Sequence, residues 1–160
     1  MPNIRRQSTL RAPAMCAGVE LHGGNHTRLV MHPAPINHGL KFIRTDVTDR
    51  YNVVSVQPEN VTGVRNCTTL SNAAGVEVST IEHLLAALSA AGIDNLRLEL
   101  DGKELPALDG SAEPFLKLIE QVGLQRQSAP RRYVKILKPV DVIAGDASAR
   151  IEPCSRLELD

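Results

Sequence analysis

The chain has 160 residues, with 18 Lys plus Arg against 18 Asp plus Glu, no Trp, two Tyr and two Phe. That length holds one domain with a real core and the beginning of a second, and the core must come from Leu, Val, Ile and Ala. Balanced charge and scarce aromatics give nucleic-acid binding no electrostatic or stacking support, and the Arg5-Arg6 and Arg131-Arg132 pairs read as solvated surface.

The N-terminus, Met-Pro-Asn-Ile-Arg-Arg-Gln, has no apolar core of a secretory signal. No stretch approaches the roughly 18 apolar residues of a membrane-spanning helix. Cys16, Cys67 and Cys154 are widely spaced and form no CxxC. They suggest no disulfide framework, so a cytoplasmic, reducing compartment is expected.

The first half reads as short strands. Gln7 to Cys16 is expected to form a strand that Pro13 confines to an edge or a bulge. Gly18 to Gly24 (GVELHGG) is a glycine-rich loop where backbone can turn tightly or approach a ligand. Thr27 to Met31, Leu40 to Thr45, Asn52 to Val56, Cys67 to Ser71 and Val76 to Val78 follow as strands, the last two joined by a turn over Asn72 to Gly75.

The period then changes. Ile81, Leu84, Leu85, Leu88 and Ala91 recur at helical spacing before Gly92. Asn95 to Asp101 alternates polar and apolar residues as a half-buried strand should, with a turn at Asp101-Gly102. A second helix carries Phe115, Leu118, Ile119 and Val122, accepts Pro114 in its first turn and stops at Gly123. This order predicts an α+β domain, one mostly antiparallel sheet with two helices packed on one face.

Gln125 to Arg132 is polar, contains a proline and reads as a linker. Tyr133 to Leu137, Val140 to Ala144, Ala149 to Ile151 and Arg156 to Leu159 read as further strands. They are fewer than the roughly 40 residues that usually fold alone. The expected organisation is a first domain over 1–127, a linker over 128–132, and the truncated start of a second, similar domain over 133–160.

Ser79-Thr-Ile-Glu-His83 is the segment richest in chemistry. Ser79 and Glu82 match the capping box S-x-x-E, which accounts for Glu82 without catalysis. A carboxylate beside a histidine can also deprotonate a metal-bound water, though capping is the favoured reading of the residues alone. His83 lies about 100° from the apolar stripe and is neither core nor cap. As a lone histidine it is compatible with a surface position or a metal ligand. His22 sits in the glycine-rich loop, where it can touch a ligand; His26, His32 and His38 read as loop or strand-surface residues. A buried structural thiol is the default reading of Cys67, and turn formation or capping accounts for Asp109.

Taken together, these segments resemble the UDP-3-O-acyl-N-acetylglucosamine deacetylase family, zinc amidohydrolases of lipid A biosynthesis. Gly18 to Gly24 is similar to the family's G-V-G-L-H-x-G loop, with Glu20 where glycine is usual. Pro33 to Gly39, Arg44-Thr-Asp46, Cys67-Thr-Thr-Leu70, Ser79-Thr-Ile-Glu-His-Leu84, Gly92 to Asn95 and Glu104 to Ser111 match further family segments in the same order. The resemblance implies that Glu82 is the general base and His83 a Zn2+ ligand. It also implies that Leu21, His22 and Cys67 line the substrate cleft. The implied substrate is UDP-3-O-(3-hydroxyacyl)-N-acetylglucosamine, which would lose its N-acetyl group as acetate.

Family enzymes have two similar α+β domains with the site between them. Their second domain supplies the other two zinc ligands, a catalytic histidine and a threonine for the oxyanion. The resemblance thus implies a missing C-terminal domain as partner. The alternative expectation is a truncated domain, catalytically inactive or acting as a binding module.

Overall fold

The computed structural model describes residues 5–155. The first expected strand divides in two, because Arg11-Ala12-Pro13 interrupts it: β1 (Arg6–Leu10) and β2 (Ala14–Val19) flank the break. Proline has no N–H to give a ladder, and here the chain changes sheets. From β2 it returns through a turn into β3 (His26–Pro33), so Gly18 and Val19 of the expected loop are strand residues. β4 (Leu40–Arg44) and β5 (Val53–Ser55) follow as expected. A 3-10 turn over Pro58–Asn60 and β6 (Val61–Gly63), unmarked by any sequence signal, precede β7 (Thr69–Ser71) and β8 (Glu77–Val78).

The first helix, α1 (Glu82–Ala91), ends at Gly92, whose φ of 72° is the left-handed cap glycine adopts without steric cost. Next come β9 (Leu96–Leu100) and α2 (Glu113–Val122).

The polar stretch read as a linker is partly strand. β10 (Leu124–Pro130) pairs antiparallel with β1. A buried amide network gives the reason. Asn95 Nδ2 donates to Gln7 Oε1 at 2.9 Å and to Gln127 Oε1 at 2.7 Å, and Gly39 N donates to Asn95 Oδ1 at 2.8 Å. Gln7 and Gln127, which look solvated in the sequence, are both held by Asn95. β11 (Val140–Ala144) and β12 (Ala147–Ile151) make an antiparallel hairpin with all residues exposed. Tyr133 to Leu137, expected as a strand, is irregular: it pairs with no strand among the described residues, and Val134 and Leu137 are 90% and 78% exposed. The strand expected over Arg156 to Leu159 lies outside the described residues.

The main sheet has five strands in the order β2-β3-β9-β4-β5. All its pairings are antiparallel except β4 with β9. A second, three-stranded sheet is formed by β6-β7-β8. On β9 the expected alternation holds: Leu96, Leu98 and Leu100 are fully buried while Arg97 is exposed. They share one cluster with Leu29, Met31, Phe42, Val54, and Leu84, Ala87 and Leu88 of α1, and with Phe115 and Ile119 of α2. The helices pack against each other and on this sheet face, which makes the fold α+β.

Leu98 lies between Met31 on one side and Phe42 on the other, at the centre of the sheet. Leu98→Ala leaves a cavity that these neighbours cannot close, and costs about 2–5 kcal/mol of stability. Urea unfolding is expected to show a lower midpoint with an unchanged slope.

Candidate active-site cleft

Helix α1 starts later than a capping box requires. Its N-cap residue is Ile81, and no side chain caps it. Ser79 is instead held in strand-like pairing: its N–H donates to Lys103 O at 3.0 Å, and its carbonyl accepts the Leu105 amide at 3.3 Å. Ser79 Oγ meets Thr69 Oγ1 at 3.1 Å. Thr80 then turns the chain at a φ of 57°, a left-handed conformation uncommon for a β-branched residue. The helix begins only after that turn, so the Ser79–Glu82 box does not form. Glu82 is the first helical residue, where the helix dipole favours a carboxylate. Its Oε2 accepts the Thr68 amide at 3.0 Å.

Beside this point lies an open cleft of about 390 Å³. His22 and Cys67 line it, with Ser79, Lys103 and Glu104 among the others. Leu21, 62% exposed on the neighbouring turn, is not among the lining residues. Nor are Glu82 and His83: both are half-buried on the first turn of α1, and Glu82 reaches the cleft wall through Thr68, next to Cys67. The remaining histidines are elsewhere. His32 on β3 pairs with Glu99 at 3.0 Å, and His38 Nδ1 lies 3.0 Å from the Gly39 carbonyl. Asp109 forms a turn, accepting the Ser111 amide and hydroxyl at 2.9 and 2.8 Å.

Glu104, which opens one of the family-like segments, also lines the cleft. Glu104 is 4% exposed. Its carboxylate accepts the Thr80 hydroxyl at 2.6 Å and the His22 and Gly23 amides, each at 3.1 Å. Glu20, buried beside it, takes the Glu104 amide at 3.2 Å and Asn25 Nδ2 at 2.8 Å. Burial alone would raise the Glu104 pKa, but donation from Thr80, Gly23 and His22 outweighs it and holds the carboxyl below its ordinary 4.5. A glutamate between a hairpin turn and an apolar run has no periodicity that marks it as buried; only the incoming donors explain its place.

A catalytic zinc typically takes three protein ligands. Among the described residues no group of three or more His, Cys, Asp or Glu side chains comes together to hold a metal. His83 supplies one imidazole, so these residues do not by themselves fit a zinc site. No helix among the described residues is long and apolar enough to cross a membrane.

The domain is α+β, and a glutamate–histidine pair opens helix α1 beside the cleft that His22, Cys67 and Glu104 line. The chain belongs to the UDP-3-O-acyl N-acetylglycosamine deacetylase family, whose model matches residues 7–160. It is 48% identical over 153 residues to the UDP-3-O-acyl-N-acetylglucosamine deacetylase of Phenylobacterium zucineum (strain HLK1), covering 96% of this chain and 52% of that protein. It is 43% and 44% identical over 154 residues to the proteins of the same name from Shewanella pealeana (strain ATCC 700345 / ANG-SQ1) and Shewanella halifaxensis (strain HAW-EB4), covering 96% of this chain and 50% of each. The chain thus spans about half the length of these relatives.

The lowered Glu104 pKa has a defined consequence for stability. A carboxyl whose folded pKa lies below its unfolded value stabilises the fold above the unfolded value. That contribution is lost as pH falls through the folded pKa. The stability advantage of the wild type over Glu104→Gln is therefore expected to be full near about pH 7 and to shrink below about pH 4. Urea unfolding of both proteins across that range measures it; a pH-independent difference contradicts the assignment.

Proposed function

We propose that this chain supplies the general-base half of a zinc-dependent deacetylase. The enzyme would remove the N-acetyl group of UDP-3-O-acyl-N-acetylglucosamine as acetate, in lipid A biosynthesis. The observation that carries this reading is the setting of Glu82. It opens helix α1, one carboxylate oxygen is anchored by the Thr68 amide, and the cleft wall at Cys67 is one residue away. The likeness to UDP-3-O-acyl-N-acetylglucosamine deacetylases supports the substrate and the reaction.

In this reading Glu82 takes a proton from a water placed against the acetamide carbonyl. The hydroxide adds to the carbonyl carbon, the C–N bond breaks as the amine gains a proton, and acetate leaves. His22 and Cys67 would border the bound substrate, with Leu21 on the rim. His83 would be one ligand of the zinc, completed by residues outside those described. The proposed organisation keeps a first domain to residue 127, a junction over 128–132, and the start of a second domain after it, including the exposed hairpin β11–β12.

A chimera in which this chain replaces the matching half of the Phenylobacterium zucineum relative tests the role of Glu82. Acetate release from the UDP-sugar is expected to fall by about 10²- to 10⁴-fold in Glu82→Ala. Undiminished turnover in that variant sinks the assignment.

A second reading concerns residues 1–160 alone. One candidate ligand does not make a catalytic zinc site, so the isolated chain is proposed to be inert or to bind without turnover. Metal analysis is expected to find well under one zinc per chain, and assays no acetate. Turnover that chelator and Glu82→Ala both abolish would overturn this second reading.

A further inference from the structure

Thr80 and Glu104 are joined by a short buried hydrogen bond, and neither is explained by packing. Both are 4% exposed. Thr80 holds a φ of 57°, a conformation in which β-branched residues are outliers and which persists only when the surroundings impose it. A valine would fill the same volume. What the threonine adds is the hydroxyl, donated to Glu104 Oε1 at 2.6 Å. The other oxygen of the same carboxylate takes the His22 and Gly23 amides at 3.1 Å each. The backbone doubles the link, since Ser79 N donates to Lys103 O at 3.0 Å. Behind it, Glu20 holds the Glu104 amide at 3.2 Å.

One carboxylate therefore joins two stretches distant in sequence. One is the turn that carries His22 at the cleft. The other is the left-handed step that sets where α1 begins, two residues before Glu82. We propose that Glu104 and Thr80 are positioning residues: they fix the start of α1, and hence Glu82 and His83, relative to the His22 wall of the cleft. The inference rests on the reading of Glu82 and His83 as reacting groups. Neither Glu104 nor Thr80 takes part in bond making. Their effect is exerted through the register of the helix start, where misplacement by about 1 Å is costly to rate.

The test uses Thr80→Val, which keeps shape and branching, and Thr80→Ser, which keeps the hydroxyl. In the 160-residue chain, amide hydrogen exchange is read at Thr68, the donor to Glu82, and at Leu98 in the core. Thr80→Val is expected to speed exchange at Thr68 by about tenfold and leave Leu98 unchanged, because the opening is local. In the chimera, kcat is expected to fall by about ten- to a hundredfold with KM nearly constant, and Thr80→Ser to recover most of the loss. Unchanged Thr68 exchange, equal acceleration at Thr68 and Leu98, or a loss confined to KM overturns the proposal. A wild-type chimera that releases no acetate defeats the proposed function instead, and the exchange measurement still decides whether the clamp exists.

Discussion

The Glu104 carboxylate has to be satisfied because it is buried, and the local architecture is arranged around doing so. An ionised group out of water costs several kcal/mol unless donors replace the solvent. Here Thr80 and the amides of His22 and Gly23 do that. Each donor comes at a geometric cost elsewhere. Thr80 gives up ordinary backbone geometry. The His22–Gly23 turn closes tightly enough that a Cβ on Gly23 would stand 2.1 Å from Glu20 Oε2. The outcome is a hydrogen-bonded junction between the end of β2, the approach to α1 and the segment after β9.

That junction sits on a scaffold whose own logic is apolar. The leucines of β9 lie between β3 and β4, and the two helices cover their buried face. The sheet fixes the body of α1 through Leu84, Ala87 and Leu88. The polar junction fixes its first turn. Glu82 and His83 stand where the two regimes meet, at the end of a well-packed helix whose starting point is set by hydrogen bonds rather than by burial. On the far side of the domain the amides of Gln7, Asn95 and Gln127 play the corresponding part, attaching β1 and β10 to the start of β9.

Much of this was legible in the sequence where one periodic signal governs. The alternation in β9, the helical stripe of α1, and the stops at Gly92 and Gly123 are local, and burial of one face decides them. The candidate site was legible mainly as strings: Glu82, His83, His22 and Cys67 stand in segments that resemble one family. What local pattern could not decide was partnership. Ser79 and Glu82 have capping-box spacing, yet Ser79 is drawn into pairing with Lys103 and Leu105, so the helix starts after it. Gln125 to Arg132 looks like solvated connection, yet Gln127 meets Asn95 and the strand Leu124–Pro130 forms. Tyr133 to Leu137 has strand-like composition and no pairing strand among the described residues.

The sequence by itself determined the class of fold, the helices, the central strand and the membership implied by its motifs, because these rest on residue types and spacings along one stretch of chain. Only the tertiary structure decided that Glu82 is anchored by Thr68 rather than by a cap, that His22 and Cys67 share one cleft, and that the buried Glu104 lines it with them. The physical reason is the same in each case. A buried polar group is satisfied by whichever donor the fold brings within about 3 Å, and that donor is 14 residues away for Glu82 and from 24 to 82 for Glu104.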